Sequence, residues 1–164
     1  MSLIAAPNAG QVLDLRRATP VDRDALIAMY LSFEPKGASF GLPPRKEPEH
    51  WLDGLRACPN FIMTAAGRIA GHAVLCGEGE SAEVAVFVHQ DFRGRGLGKQ
   101  LLRALVEEAQ RLNLRRVWGM SELDNVPMLR LARSLGFVSA EDPREFHLEL
   151  PVKANATPAG VPVA

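Results

Sequence analysis

Residues 92–101 read Phe-Arg-Gly-Arg-Gly-Leu-Gly-Lys-Gln-Leu, so three glycines, two arginines and a lysine fall within one short stretch. Glycines let a backbone approach an anion closely and adopt positive φ. Arginine and lysine add charge-assisted hydrogen bonds to phosphate oxygens. If a helix begins here, its unpaired N–H groups and the positive end of its dipole favour the same occupant, a diphosphate. Two well-known phosphate loops do not fit. A P-loop needs Gly-x-x-x-x-Gly-Lys-Ser/Thr, but Arg93 stands five residues before Gly98 and Gln100 follows Lys99. A dinucleotide fingerprint needs Gly-x-Gly-x-x-Gly, and here Gly94 and Gly96 are followed by Lys99 in the third position. A plain solvated turn would not explain why arginines join glycines at a helix start.

The elements that must position this loop are legible on both sides of it. Before it, residues 83–89 read EVAVFVH, nearly all apolar after the first residue, which predicts a strand buried on both faces. After it, Leu97, Leu101, Leu105, Ala109 and Leu112 recur at near-helical spacing and predict a helix over 97–112. Further upstream, alternation over 12–17 predicts a strand, and Thr19-Pro20 then starts a helix that runs to about Phe33. Residues 34–48 carry Pro35, Gly37, Gly41, Pro43, Pro44 and Pro48 and form a long irregular loop, of a length that is often functional. A short helix over 49–56 follows, then strands over 61–65 and 69–76 that flank the turn at Gly67. Downstream lie a strand over 115–120, a helix from Asn125 to Leu135 stopped by Gly136, and strands over 137–140 and 145–150. Hairpins and crossover helices together predict an α/β fold with a mixed, mostly antiparallel sheet of about six to seven strands and about four helices.

Bulk properties narrow the function classes. A chain of 164 residues suits one domain, expected over 12–150, with flexible tails at 1–11 and 151–164. The formal net charge of +0 gives no drive toward nucleic acid or a membrane surface. The chain contains no run of 18 uncharged apolar residues and no secretory-signal pattern, so the cytoplasm is the expected location. Cys58 and Cys76 form no Cys-x-x-Cys pair. They read as small buried apolar residues, with neither a disulfide nor a zinc site, and no metal is expected.

Arg93-x-x-Gly96-x-Gly98 resembles the R/Q-x-x-G-x-G/A signature of the GNAT superfamily of acyl-CoA-dependent N-acyltransferases. The resemblance extends over about 12–150: a buried strand, the signature, a long helix, another strand, then a helix led by Asn125 and ending Leu135-Gly136-Phe137. It implies that acetyl-CoA is the acyl donor and that the loop amides of Arg93, Gly94, Arg95, Gly96, Leu97, Gly98 and Lys99 hold its pyrophosphate. It also implies that the backbone of Val86, Phe87 and Val88 pairs with the pantetheine arm like an added strand, in a cleft splayed open against the strand at 115–120. Asn125 matches a residue that touches the pantetheine or thioester region. As a residue it is equally a helix N-cap, with Asp124 competing for that role. The segment Asn125, Met128, Leu131, Ala132 is similar to the acyltransferase domains of bacterial protein-lysine acetyltransferases. Dimers are common among such proteins, so a homodimer is a further expectation.

Acyl transfer to an amine needs a proton acceptor, donors for the developing oxyanion, and a leaving thiolate. Glu83 is the candidate general base, an acid opening an apolar strand where burial would raise its pKa. Similar enzymes carry a Glu near this place. Strand amides near Phe87 could receive the oxyanion. Glu78 and Glu80 are weaker bases on a turn, and His72 and His89 read as structural rather than as proton relays. Many similar enzymes place a Tyr acid after the Leu of the Asn-led helix, whereas here Leu131 is followed by Ala132, and the lone tyrosine, Tyr30, reads as packing. The resemblance assigns acceptor recognition to 29–55, including Phe33, Glu34, Phe40, Glu47, Glu49 and Trp51. The activity so implied is N-acetyl transfer from acetyl-CoA to a primary amine, of a small molecule or a protein lysine, by direct attack in a ternary complex. The alternative is a non-catalytic acyl-CoA sensor.

Overall fold

The computed structural model describes residues 12–151. The expected tails therefore lie, apart from Pro151, outside the described residues. The chain order is β1 (Leu13–Arg17), α1 (Arg23–Leu31), α2 (Pro48–Gly54), β2 (Asn60–Ala65), β3 (Arg68–Glu78), β4 (Ser81–Val88), α3 (Leu97–Arg111), β5 (Arg116–Met120), α4 (Val126–Ser134), β6 (Val138–Ser139) and β7 (Glu145–Glu149). Short 3-10 turns at Pro20–Asp22 and Gln90–Phe92 precede α1 and the Gly-rich loop. The seven strands form one sheet in the order β1-β2-β3-β4-β5-β7-β6. Every neighbouring pair is antiparallel except β4 and β5.

Strand alternation divides the core between the two faces of the sheet. On one face Leu97, Leu101, Leu102, Leu105 and Ala109 of α3 pack on Ala73, Leu75, Ala82, Val84 and Val117. The other face carries α1 and α2, where Leu26, Met29, Tyr30, Phe33 and Leu52 cover Ile62, Ile69 and Phe87. The apolar stripe predicted for α3 is thus the stripe that is buried. It includes one charge, Glu108, which is 6% exposed and held by Arg17 and Arg111. Close packing calls for glycine at several places, two of which hold elements around the site. A Cβ on Gly98 would sit 2.9 Å from Leu131 Cδ1, so this glycine lets α4 lie against the start of α3. A Cβ on Gly119 would meet two Phe146 ring carbons at 2.7 Å.

Two expectations are corrected. Cys58 and Cys76 are joined in a disulfide, with Cα atoms 5.2 Å apart. Their sequence separation hid this, because the β2–β3 hairpin pairs Asn60 with Val74 and so carries Cys58, two residues before β2, to the position opposite Cys76. Nor is β4 buried on both faces. Ala82, Val84 and Phe87 are buried, but Ala85, Val86 and Val88 are partly open and Glu83 is exposed. The sheet comes apart beside Val84 to Val88, past the last β4–β5 pair at Glu83.

Candidate active site

Strand β4 is paired with β3 along its whole length, Ser81 to Val88. Its parallel pairing with β5 covers only Ser81↔Arg116, Ala82↔Val117 and Glu83↔Trp118. Beyond Glu83 the two strands diverge, while β5 stays paired with β7 through Met120. A wedge opens there between two strands of one sheet. Its narrow end is Glu83 and its wide end is the Gly-rich loop.

Backbone alternation decides what β4 presents to the wedge. The His89 amide donates to Ala70 O at 2.8 Å, on the β3 side. Counting back by twos, Phe87 and Ala85 also direct their peptide groups to β3, and Val84, Val86 and Val88 direct theirs to the wedge. The Phe87 amide is therefore committed to the sheet, which moves the expected oxyanion donors to its neighbours. Phe87 contributes its ring, buried edge-on against Tyr30, Phe33 and Trp51. The Val88 carbonyl is occupied, accepting from Arg93 Nε at 2.9 Å.

At the wide end, Gly94 and Gly96 have φ of 76° and 78°, and Gly96 caps α3. Side chains resist that left-handed backbone, and through it the loop turns so that the first amides of α3 stand unpaired at the positive end of a 15-residue helix. The two arginines differ in what they hold. Arg93 folds back, donating to Val88 O and to Glu34 O at 2.7 Å, with its guanidinium 5.1 Å from the Phe33 ring centre. Burial lowers its pKa. Arg93 thus clamps the loop to the segment after α1 and offers the wedge its backbone only. Arg95 lies over Phe92 and reaches Asp91 O at 3.4 Å. Lys99 is half-buried in the first turn of α3.

Glu83 points to the face that carries α1 and α2, since Ala82 and Val84 on either side of it pack toward α3. Its partners in the strand register, on the same face, are Cys76 of β3 and Trp118 of β5. The residue keeps access to water, yet burial of its carboxyl pushes the pKa above the usual carboxylate range. A disulfide and an indole are apolar neighbours that withhold hydration from a charge. Neither neighbour was anticipated from sequence. Trp118 could have been found by aligning the strand at 115–120 with the start of β4, but the disulfide needed the hairpin register.

The other titratable candidates are held by other partners or stand in solvent. His72 is completely buried; its Nδ1 lies 2.6 Å from Tyr30 Oη and its Nε2 2.5 Å from Asn60 Oδ1. Asn60 Nδ2 donates to Leu55 O and Cys58 O, so Nε2–H donates to the Asn60 oxygen and Nδ1 accepts from the tyrosine. Burial holds this imidazole neutral, with a pKa of about 3. His89 accepts from the Asp91 amide at Nδ1 and meets Ser32 Oγ at 2.9 Å through Nε2. Both histidines and Tyr30 are structural, as their residue types and settings predicted. Glu80 pairs with Arg115 at 3.2 Å, and Glu78 ends β3 in solvent. Among the described residues, no cluster of three or more His, Cys, Asp or Glu is placed to hold a metal.

Asn125 is the N-cap of α4, its Oδ1 accepting from the Met128 amide at 3.3 Å, which decides the cap against Asp124. Ala132 is buried against α3 and brings no hydroxyl to the wedge. The expected acceptor segment splits in two. Phe33 and Trp51 join the aromatic cluster around Tyr30 and Phe87, whereas Phe40 is exposed with the Arg144 guanidinium 5.8 Å from its ring centre. Glu34, Glu47 and Glu49 lie apart: beside Lys36, at the left-handed residue before α2, and in its first turn.

The model of the acetyltransferase (GNAT) family matches residues 24–137, from α1 to the residue before β6. This chain belongs to that family. Within GNAT proteins it is similar to an L-methionine sulfoximine/L-methionine sulfone acetyltransferase of Pseudomonas aeruginosa, 37% identical over 87 residues, 49% of this chain and 51% of the relative. It is also similar to the L-amino acid N-acyltransferase MnaT of Escherichia coli, 39% identical over 96 residues, 54% of this chain and 56% of the relative. The matches thus span only about half the length of these curated relatives. Among solved structures, a GNAT phosphinothricin acetyltransferase of Sinorhizobium meliloti, in complex with acetyl-CoA, superposes with a TM-score of 0.72 at 19% identity, covering 91% of this chain and 97% of that one. That likeness establishes the GNAT fold, with its mixed seven-stranded sheet. Among the described residues no helix is long and apolar enough to cross a membrane.

Proposed function

We propose that this chain transfers the acetyl group of acetyl-CoA to a primary amine by direct attack, with donor and acceptor bound together in the wedge. The observation that carries the reading is the free edge of β4, with Glu83 at its narrow end and the α3 amides at its wide end. A diphosphate fits the glycine turn and helix N-terminus, and an extended amide-bearing arm fits the peptide groups of Val86 and Val88. Glu83 accepts the proton as the amine nitrogen bonds to the acyl carbon. The wedge-facing N–H of Val86 stabilises the negative charge that develops on the acyl oxygen, while that of Val88, about 6.6 Å further along the strand, is left for the arm. The thioester supplies a leaving thiolate with a pKa near 8.5, which departs as the C–S bond breaks and needs no acid from position 132.

The acceptor in this reading is the α-amino group of a small amino acid, with a protein lysine as the comparison. Relatives that act on methionine sulfone and on L-amino acids support this choice. An α-amine is also less basic than the side-chain amine of lysine, so less work is asked of a single carboxylate base near neutral pH. A second reading, a non-catalytic acyl-CoA sensor, rests on the alanine at 132. Acetyl-CoA mixed with amino acids and with a lysine peptide, followed by free-thiol release and product mass, separates these readings. Release with an amino acid and an acetylated product supports the proposal. Tight CoA binding with no release above hydrolysis for any amine supports the sensor.

A further inference from the structure

At the end of the sheet away from the Gly-rich loop, a cavity of about 600 Å3 opens between the β1–α1 turn, the α2–β2 connection and the last turn of α3. At 1.5 Å per residue, the 15 residues of α3 set it about 20 Å from the proposed diphosphate position. Its volume falls in the range of small-molecule sites. The floor is apolar, from Pro20, Leu26, Leu52, Leu55, Pro59 and Leu112.

The walls carry four guanidinium groups against two carboxylates. In one cluster, buried Glu108 accepts from Arg111 Nε at 2.9 Å and Nη2 at 2.7 Å, and from Arg17. In the other, Asp53 accepts from Arg23 Nε at 3.0 Å and Nη2 at 3.1 Å, with Arg56 Nε at 3.6 Å. Each carboxylate is shared by two arginines, so each cluster keeps a net positive charge. An arginine has five N–H donors, and these contacts use two at most. Neutralising Glu108 and Asp53 requires one cation apiece, which leaves one positive charge in excess in each cluster. The clusters come from different elements, β1 with α3 in one and α1 with the end of α2 and the α2–β2 connection in the other, so they frame the cavity rather than forming a single surface patch.

We infer that this cavity is a second small-molecule site, distinct from the acyl-transfer wedge, for an organic dianion whose two anionic groups are joined by a short apolar spacer. Each anionic group sits on one arginine pair and the spacer lies on the leucine and proline floor. Dicarboxylates, and carboxylates that also carry a phosphate or phosphonate at the other end of the spacer, share this chemistry.

The test is a titration of the whole chain at low ionic strength with glutarate, 3-phosphonopropionate and butyrate, followed by amide NMR shifts. The expected result is saturable binding of glutarate or 3-phosphonopropionate, with the largest shifts at residues 17–23, 53–60 and 108–112. Whichever of the two binds more tightly identifies the anion type. Arg56→Gln and Arg111→Gln are each expected to weaken it about tenfold or more, the loss of one charge-assisted contact, and butyrate is expected to bind more weakly by a similar factor. Arg56 is exposed, so its variant keeps the fold and decides the question even if Arg111→Gln is unstable. The inference is overturned if neither dianion saturates, if shifts centre on residues 93–99, if both variants bind as tightly as the parent, or if butyrate matches the dianions.

Discussion

Glu83 is an acid whose environment sets its usefulness. A base works in its ionised form, and burial raises the pKa at which Glu83 ionises. Activity is therefore expected to rise with pH through that raised pKa and to fall below it. Trp118 supplies part of the shelter, so Trp118→Ala is expected to rehydrate the carboxyl, lower its pKa and move the acid limb of kcat/KM to lower pH, with Trp118→Phe in between. An acid limb unmoved by Trp118→Ala would assign the shelter to other groups. The sequence carried the identity of Glu83 but not its setting. An acid at the head of an apolar strand is visible in one dimension, whereas its flanking by Cys76 and Trp118 exists only once β3, β4 and β5 are in register. The same gap explains Phe87, whose place in the chain is at the centre of the strand but whose amide faces β3, a matter of strand phase. Arg93 shows a further limit: its type suits a phosphate, but a carbonyl at each end of its guanidinium, on Val88 and Glu34, takes the side chain instead.

Elements were far more legible than their junctions. The α3 stripe, the Asn125 cap and the strand bounds follow from periodicity and capping chemistry, which are local. The wedge is not local, because it arises where parallel pairing of β4 and β5 stops after three residue pairs. Two variants probe elements directly. Gly96→Glu places a negative side chain beside the proposed diphosphate, at a position of φ 78° with no neighbour within 4 Å of a Cβ. It is expected to abolish CoA binding by calorimetry while costing only about 1–2 kcal/mol of backbone strain. Retained affinity would remove the loop from that role. Gly119→Ala drives a methyl to 2.7 Å from the Phe146 ring and 3.1 Å from Val84. A loss of about 1–3 kcal/mol in urea unfolding is expected from such overpacking, and an unchanged midpoint would contradict the β5–β7 packing described above.

At the scale of the molecule, one sheet carries two faces with separate tasks: α3 and α4 support the donor side, and α1, α2 and residues 34–47 wall the side that Glu83 faces. The disulfide ties the entry to β2 to the far end of β3, across a sequence separation of 18. Closing a loop of that size restricts the unfolded chain by about 3 kcal/mol in the chain-entropy account, so the urea midpoint is expected to fall on adding reductant and to stay put in Cys58→Ala. An unchanged parent midpoint would show that the bridge adds no stability. The central claim, that acetyl transfer occurs on the open edge of β4 with Glu83 as the base, is tested most directly by the pH profile of acetyl-CoA-dependent thiol release for the parent and Glu83→Gln. The parent rate is expected to climb with pH through a raised carboxylate pKa, and the Glu83→Gln rate to be at least about 100-fold lower and to lack that limb, with CoA affinity unchanged. Equal rates with superimposable profiles would contradict the claim.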